Sequence, residues 1–157
     1  MLVRLLYTSR FVGAEPALDG IFADAVTKNT RTGITGVLCV HRPQQLYIQL
    51  LEGSRQEVNK LYARICADAR HRDVSLLHFE EITERRFTAW PMGYVDLARI
   101  NPRIVLRFFE TPTLKPEDLP GRATLDLLHE MIGAAVVVSH REAPSGRRET
   151  TPGAPAK

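Results

Sequence analysis

An α+β fold, with elements in the order strand, helix, strand, strand, helix, strand, is predicted by three features of the sequence. Short runs of period two alternate with two stretches of helical spacing, and clusters of turn-prone residues separate them. The composition, 44% hydrophobic and 25% charged over 157 residues, is that of an ordinary globular domain with an appendage.

The first strand covers residues 3–9, with Val3, Leu5 and Tyr7 on one face and Arg4, Leu6 and Thr8 on the other. Residues 16–28 then place Leu18, Ile21, Phe22, Ala25 and Val26 at helical spacing. The polar run Asn29-Thr30-Arg31-Thr32-Gly33 is expected to end that helix. Residues 34–40 and 46–51 read as a hairpin joined by the five-residue loop His41-Arg42-Pro43-Gln44-Gln45. Ser54 is the expected N-cap of a second amphipathic helix carrying Val58, Leu61, Tyr62, Ile65 and Cys66. A fourth strand over 74–82 and a short fifth over 92–97 follow. This is the ferredoxin-like βαββαβ arrangement with a fifth strand: an antiparallel sheet, two helices on one face and a groove between them. Asn101-Pro102 opens a short apolar helix over 104–109, and residues 125–138 form a longer one. These C-terminal helices are expected to cap the other face. The chain thus divides into residues 1–97, a helical cap over 98–139, and a tail over 140–157 whose Pro, Gly, Thr and charge predict disorder.

No run reaches the roughly 18 apolar residues of a membrane span, and Met1-Leu2-Val3-Arg4 enters a strand pattern rather than a signal peptide. The expected setting is cytoplasmic, with no membrane partner. Cys39 and Cys66 have no metal or redox spacing, so both are expected to be reduced and buried. Of the net charge of +3, the tail holds four basic and two acidic residues, leaving +1 for the folded part. No basic stripe interleaved with aromatics exists, which argues against a nucleic-acid partner.

Some side chains stand out from a bland domain. Tyr7 sits mid-strand on an apolar face, and Gln49 lies inside the apolar run Tyr47-Ile48-Gln49-Leu50-Leu51. A buried amide must find partners or cost a few kcal/mol. Arg64, Asp68 and His71 follow at i, i+4 and i+7, a polar stripe beside Ile65, and Ile21, Ala25 and Asn29 share a face of the first helix. Apolar walls with amide, guanidinium and carboxylate groups suit a flat heteroaromatic ligand with polar edges. Taken singly, each has a plainer role: a core tyrosine, a structurally bonded amide, a surface ion pair. No metal set, phosphate loop or nucleophile with its base appears.

The motifs Tyr7-Thr8-Ser9, Asn29 ahead of Gly33-Ile34-Thr35-Gly36-Val37-Leu38, Gln49-Leu50-Leu51-Glu52-Gly53, Arg64-Ile65-Cys66-Ala67-Asp68-Ala69-Arg70-His71 and Arg86-Phe87-Thr88-Ala89-Trp90-Pro91-Met92-Gly93 together resemble the BLUF family of flavin photoreceptors. The resemblance runs in register across residues 2–97. It implies non-covalent FAD, with the ring packed between Ile21 and Ile65 and Ala25 on the same wall. Asn29 would bond the polar ring edge, with Lys28 beside it where many relatives carry an uncharged or imidazole side chain. Arg64 would bond a carbonyl, and Asp68 and His71 would flank the ring or its ribityl chain. Gln49 would bridge the ring and the Tyr7 hydroxyl, with Trp90 and Met92 on or just before the fifth strand nearby. An amide has a donor and an acceptor end, so turning Gln49 over exchanges its partners without moving the fold. Tyr7 is the implied donor of an electron and a proton, and Gln49 would be left rotated or tautomerised, with no substrate turned over.

The implied output is a separate effector protein, a response regulator or a cyclic-dinucleotide enzyme. The apolar positions Leu125, Leu127, Leu128, Met131 and Ile132 exceed what one face needs against a sheet, which predicts a homo-oligomer or effector contact there. The same strand order would also serve a ferredoxin-like enzyme or ligand-binding domain without flavin, or a structural adaptor.

Overall fold

The computed structural model describes residues 1–13, 16–88 and 91–135, with side chains at all of these except 16–19 and 21. Trp90, the side chain of Ile21, the end of the final helix expected over 136–138 and the tail over 140–157 lie outside the described residues.

The elements are β1 (Leu2–Phe11), α1 (Pro16–Thr32), β2 (Thr35–His41), β3 (Leu46–Ser54), α2 (Arg55–Cys66), β4 (His71–Ile82), β5 (Gly93–Asp96), α3 (Pro102–Val105) and α4 (Gly121–Ala134). The sheet order is β4-β1-β3-β2-β5. Its first four strands pair antiparallel, as the ferredoxin-like reading requires. β5 lies parallel to β2, Val37 against Gly93, so the sheet is mixed rather than wholly antiparallel. The β4–β5 connection carries the chain to the far side of β2, and β5 enters there in the same direction.

Side chains alternate across this sheet and fill two separate cores. On one face Val3, Leu5, Tyr7, Leu38, Tyr47 and Leu51 are buried, with Val26 of α1 and Leu61 and Ile65 of α2 packed against the cluster. On the other, Leu6, Cys39, Ile48 and Leu50 meet Leu125, Leu127, Leu128 and Met131 of α4. Capping thus occurs where it was expected, but the surplus does not. All four of these α4 residues are buried within the chain, and Ile132, Phe108, Phe109 and Leu119 pack against the same cluster. Of the apolar positions predicted to meet another subunit, Leu125, Leu127, Leu128 and Met131 are buried within the chain and Ile132 is partly buried.

Several boundaries differ from expectation for local reasons. α1 runs on through Asn29-Thr30-Arg31-Thr32, since the Thr30 and Thr32 hydroxyls donate to the Val26 and Lys28 carbonyls one turn back. It stops only at Gly33, whose φ of +67° is the left-handed terminator conformation. α2 is capped as predicted, the Ser54 Oγ accepting from the Glu57 N–H at 3.3 Å, but ends at Cys66. Asp68 therefore lies in a turn, its carboxylate accepting from the Arg70 N–H at 2.9 Å, and His71 opens β4. Arg64, Asp68 and His71 form no helical stripe. Cys66 is exposed at this helix end while Cys39 is buried, so only one thiol fits the buried reading. α3 closes after four residues, short of the helix expected over 104–109, and Met92 precedes β5 instead of belonging to it.

Candidate functional site

α1 and α2 leave between them an open cleft of about 650 Å³, floored by Leu38 of β2 and Gln49 of β3. Ala25, Leu61 and Ile65 provide apolar lining, and Lys28, Asn29, Arg64, Asp68 and His71 polar groups. Every predicted binding residue with a described side chain thus reaches one cleft. The sequence stripe failed as a helix yet its three members converge, because the turn after α2 folds Asp68 and His71 back beside Arg64.

Beneath the floor, Tyr7 pairs across the sheet with Gln49. Both are buried, and the Tyr7 hydroxyl donates to Gln49 Oε1. Burial pushes the Tyr7 hydroxyl far above its ordinary pKa, so it stays protonated and able to donate. At the other end of the amide, Gln49 Nε2 donates to Met92 Sδ at 3.4 Å. A thioether is a weak acceptor, and the amide nitrogen carries a second N–H at the cleft floor. Asn29, 1% exposed, donates through Nδ2 to the Pro91 carbonyl at 3.0 Å, tying α1 to the residue before Met92. The Tyr62 ring of α2 lies 5.6 Å from that of Tyr7.

Charge is concentrated at other points on the lining. Asp68 pairs with Arg70, not Arg64, at 2.6 Å, and that hydrogen-bonded guanidinium holds its carboxyl at about 2. Arg70 also approaches Asp24 of α1 at 3.9 Å, and Lys28 meets the same carboxylate at 3.8 Å. His71 is held below the usual imidazole pKa by burial; its Nδ1 lies 3.0 Å from Ser9 Oγ. Asp24, Leu38, Leu61 and Arg70 line the cleft without having been singled out for it. Leu61 stands one turn before Ile65 and Leu38 opposite Gln49 in the hairpin, so helix spacing and register could have found both. Arg70 had no such signal, since its position depends on the turn.

A flat, partly apolar cleft with an amide and a phenol in its floor, on a ferredoxin-like sheet, defines a sensor domain for a planar ligand. The chain belongs to the BLUF family, sensors of blue-light using FAD, which matches residues 2–93. The photo-activated state of BlsA superposes with a TM-score of 0.73 at 30% identity, covering 83% of this chain and 94% of that one. The dark-state structure of BlrB, a BLUF protein, gives 0.67 at 33%, covering 85% and 96%. The blue light- and temperature-regulated antirepressor BluF of Escherichia coli (strain K12) is 31% identical over 99 residues, 62% of this chain. Those residues are 24% of BluF, so this chain spans about a quarter of that relative. Among the described residues no helix is long and apolar enough to cross a membrane, and no three His, Cys, Asp or Glu side chains gather as a metal set.

Proposed function

We propose that the cleft holds FAD non-covalently and that Tyr7, Gln49 and Met92 form a hydrogen-bond switch read by a separate protein. The observation that carries this is the Gln49 carboxamide, held between the Tyr7 hydroxyl at its acceptor end and a weak sulfur acceptor at its donor end. The cleft fits a flavin: apolar walls suit the ring faces, and the second Gln49 N–H, Asn29 and Arg64 suit a polar edge. When bound, the flavin supplies absorption of blue light and an electron-accepting ring. The chain's own contribution is to hold and move a proton. Tyr7 would supply an electron to the bound ring and its hydroxyl proton to Gln49, and would recover both with Gln49 left rotated or tautomerised. In the rotated form its N–H would face Tyr7 and its carbonyl the cleft. Weak bonding at sulfur lowers the cost of that turn.

In this reading Ile21, Ala25 and Ile65 contact the ring faces, Lys28 and Asn29 its polar edge, and Asp68 and His71 its periphery. Trp90 is assigned to the same switch on its motif alone. Residues 1–97 form the light-sensing unit and 98–139 the output cap, in a cytoplasmic sensor that turns over no substrate. The effector is a response regulator, a cyclic-dinucleotide enzyme or, as the name of BluF suggests for that relative, a repressor.

Purified protein should be yellow, release mainly FAD on heating with room for some FMN or riboflavin, and show a red-shifted flavin band after blue light. Gln49→Leu and Tyr7→Phe should retain flavin and lose the shift. A colourless protein under several expression conditions, or normal photocycling in both variants, would overturn the reading. Light scattering after size exclusion, dark and lit, tests a homo-oligomer.

A further inference from the structure

Glu52 is fully buried on β3, three residues beyond Gln49 and on the opposite face of the sheet. Its Oε1 accepts from Arg4 Nε at 2.8 Å and Nη2 at 2.7 Å. Its Oε2 accepts two adjacent backbone N–H groups, of Arg86 at 2.8 Å and Phe87 at 2.9 Å. Arg4 is held in turn by Glu80 at 2.7 Å. A buried ion pair is poor evidence of stabilisation, because packed apolar side chains often do as well. What no apolar side chain can do is grip two N–H groups of a connection that has no ladder partner.

That connection links the two cores. Phe87 is buried in the α4-side core and Met92, five residues on, in the core beneath α1 and α2. β3 therefore carries a partner for each end: Glu52 for Arg86 and Phe87, Gln49 for Met92. On the α4 side, Arg86 Nη1 donates to His129 Nδ1 at 3.2 Å and the Phe87 ring lies 6.3 Å from that imidazole.

We infer that Glu52 is a positioning residue of the light switch: its grip on Arg86 and Phe87 fixes the connection that presents Met92 to Gln49 and ties the state of the amide to α4 through His129. The inference rests on the flavin-switch reading above. A change of partner at Gln49 releases or draws in Met92. The pull is resisted at Glu52, so it reaches Arg86 and the helix it contacts. With the grip loosened, Met92 follows the amide freely and α4 is no longer informed.

The test is hydrogen exchange read by mass spectrometry on the full chain, with and without flavin, beside the photocycle. In flavin-free Glu52→Gln, amides over 83–88 should exchange at least about tenfold faster while β1 keeps its protection. Gln places an N–H₂ against either Arg4 or the two N–H groups. In the flavin-loaded variant, dark recovery should change at least about threefold, and the light-dependent exchange of α4 that the proposal expects in wild type should vanish. A merely structural Glu52 would lower the melting temperature and leave recovery and light-dependent exchange as in wild type, which would overturn the inference. If Glu52→Gln does not fold, Arg86→Pro deletes one of the two donors, and Arg86→Ala keeps that donor while losing the His129 contact. Both variants should lose the light-dependent exchange of α4, and only the proline variant should alter dark recovery; equal dark recovery in the two would overturn the proposal. A wild-type chain with flavin but no light shift removes the reading beneath it, and is seen before any variant is compared.

Discussion

His71 makes stability depend on pH from within the lining of the cleft. Burial depresses its pKa and Arg70 adds to the effect, while Asp68 opposes it. An unfolded imidazole binds its proton near pH 6.5. Just below that pH the unfolded chain therefore holds more protons than the folded one, so stability falls as pH drops and is fully present above it. His41 and His129 shift in the same direction, both through burial. Asp68, held at about 2, stays ionised throughout and adds no slope there. The melting temperature should be flat from about pH 8 to 7 and decline from about 6.5 to 5. His71→Gln should remove part of that slope; an unaltered slope would exclude His71 as a contributor. At this scale the sequence was informative where a polar group interrupts an apolar strand, as with Tyr7 and Gln49, because a buried hydrogen-bonding group must have a partner. It was silent on Arg70, whose role depends on how the chain turns after α2.

α4 meets the sheet at its first residue. A Cβ on Gly121 would stand 1.8 Å from the Leu77 carbonyl oxygen of β4, a backbone atom that cannot turn aside. Gly121→Ala should therefore push the helix start off the sheet, at a cost of about 1–3 kcal/mol or more. Chemical denaturation would show a lower midpoint; an unchanged midpoint would mean the helix start is free to slide. Helix starts were legible where a cap chemistry exists, as at Ser54 and Asn101, whose side chains accept the expected N–H groups. Helix ends were not. Thr30 and Thr32 read as turn formers, yet satisfy their hydroxyls on the helix itself. The parallel pairing of β5 was equally hidden, since four residues cannot reveal which strand they will lie beside.

The molecule is one sheet with a core on each side, and α4 is as deeply built in as the helices that flank the cleft. Leu127 and Leu128 are both 0% exposed. Leu128→Ala should cost about 2–5 kcal/mol, and calorimetry should show one lowered transition if α4 and the sheet unfold together. A separate early transition would mean the cap is an independent unit. The abundance of leucine in α4 was visible in the sequence, but its destination was not. Periodicity counts apolar faces without saying that Phe108, Phe109 and Leu119 would pack into the same core as α4. A partner reading the switch would therefore meet the outer surface of this core, or α4 after it has moved, rather than a ready-made apolar stripe.

The position of β1 imposes an order on synthesis. Leu2 pairs with Ser54 on one side and Ile82 on the other, so the strand made early is the one enclosed by strands made later. At roughly 5–20 residues per second, about 4–16 seconds separate β1 from its second partner. Met92 and β5 arrive later still. Until then Tyr7 has no settled surroundings and the cleft no finished floor. The growing chain must therefore leave Val3, Leu5 and Leu6 without their final neighbours, and a flavin can be captured only by a chain that has reached β4, whose His71 completes the lining. Slow, late acquisition of colour during cell-free synthesis is the consequence.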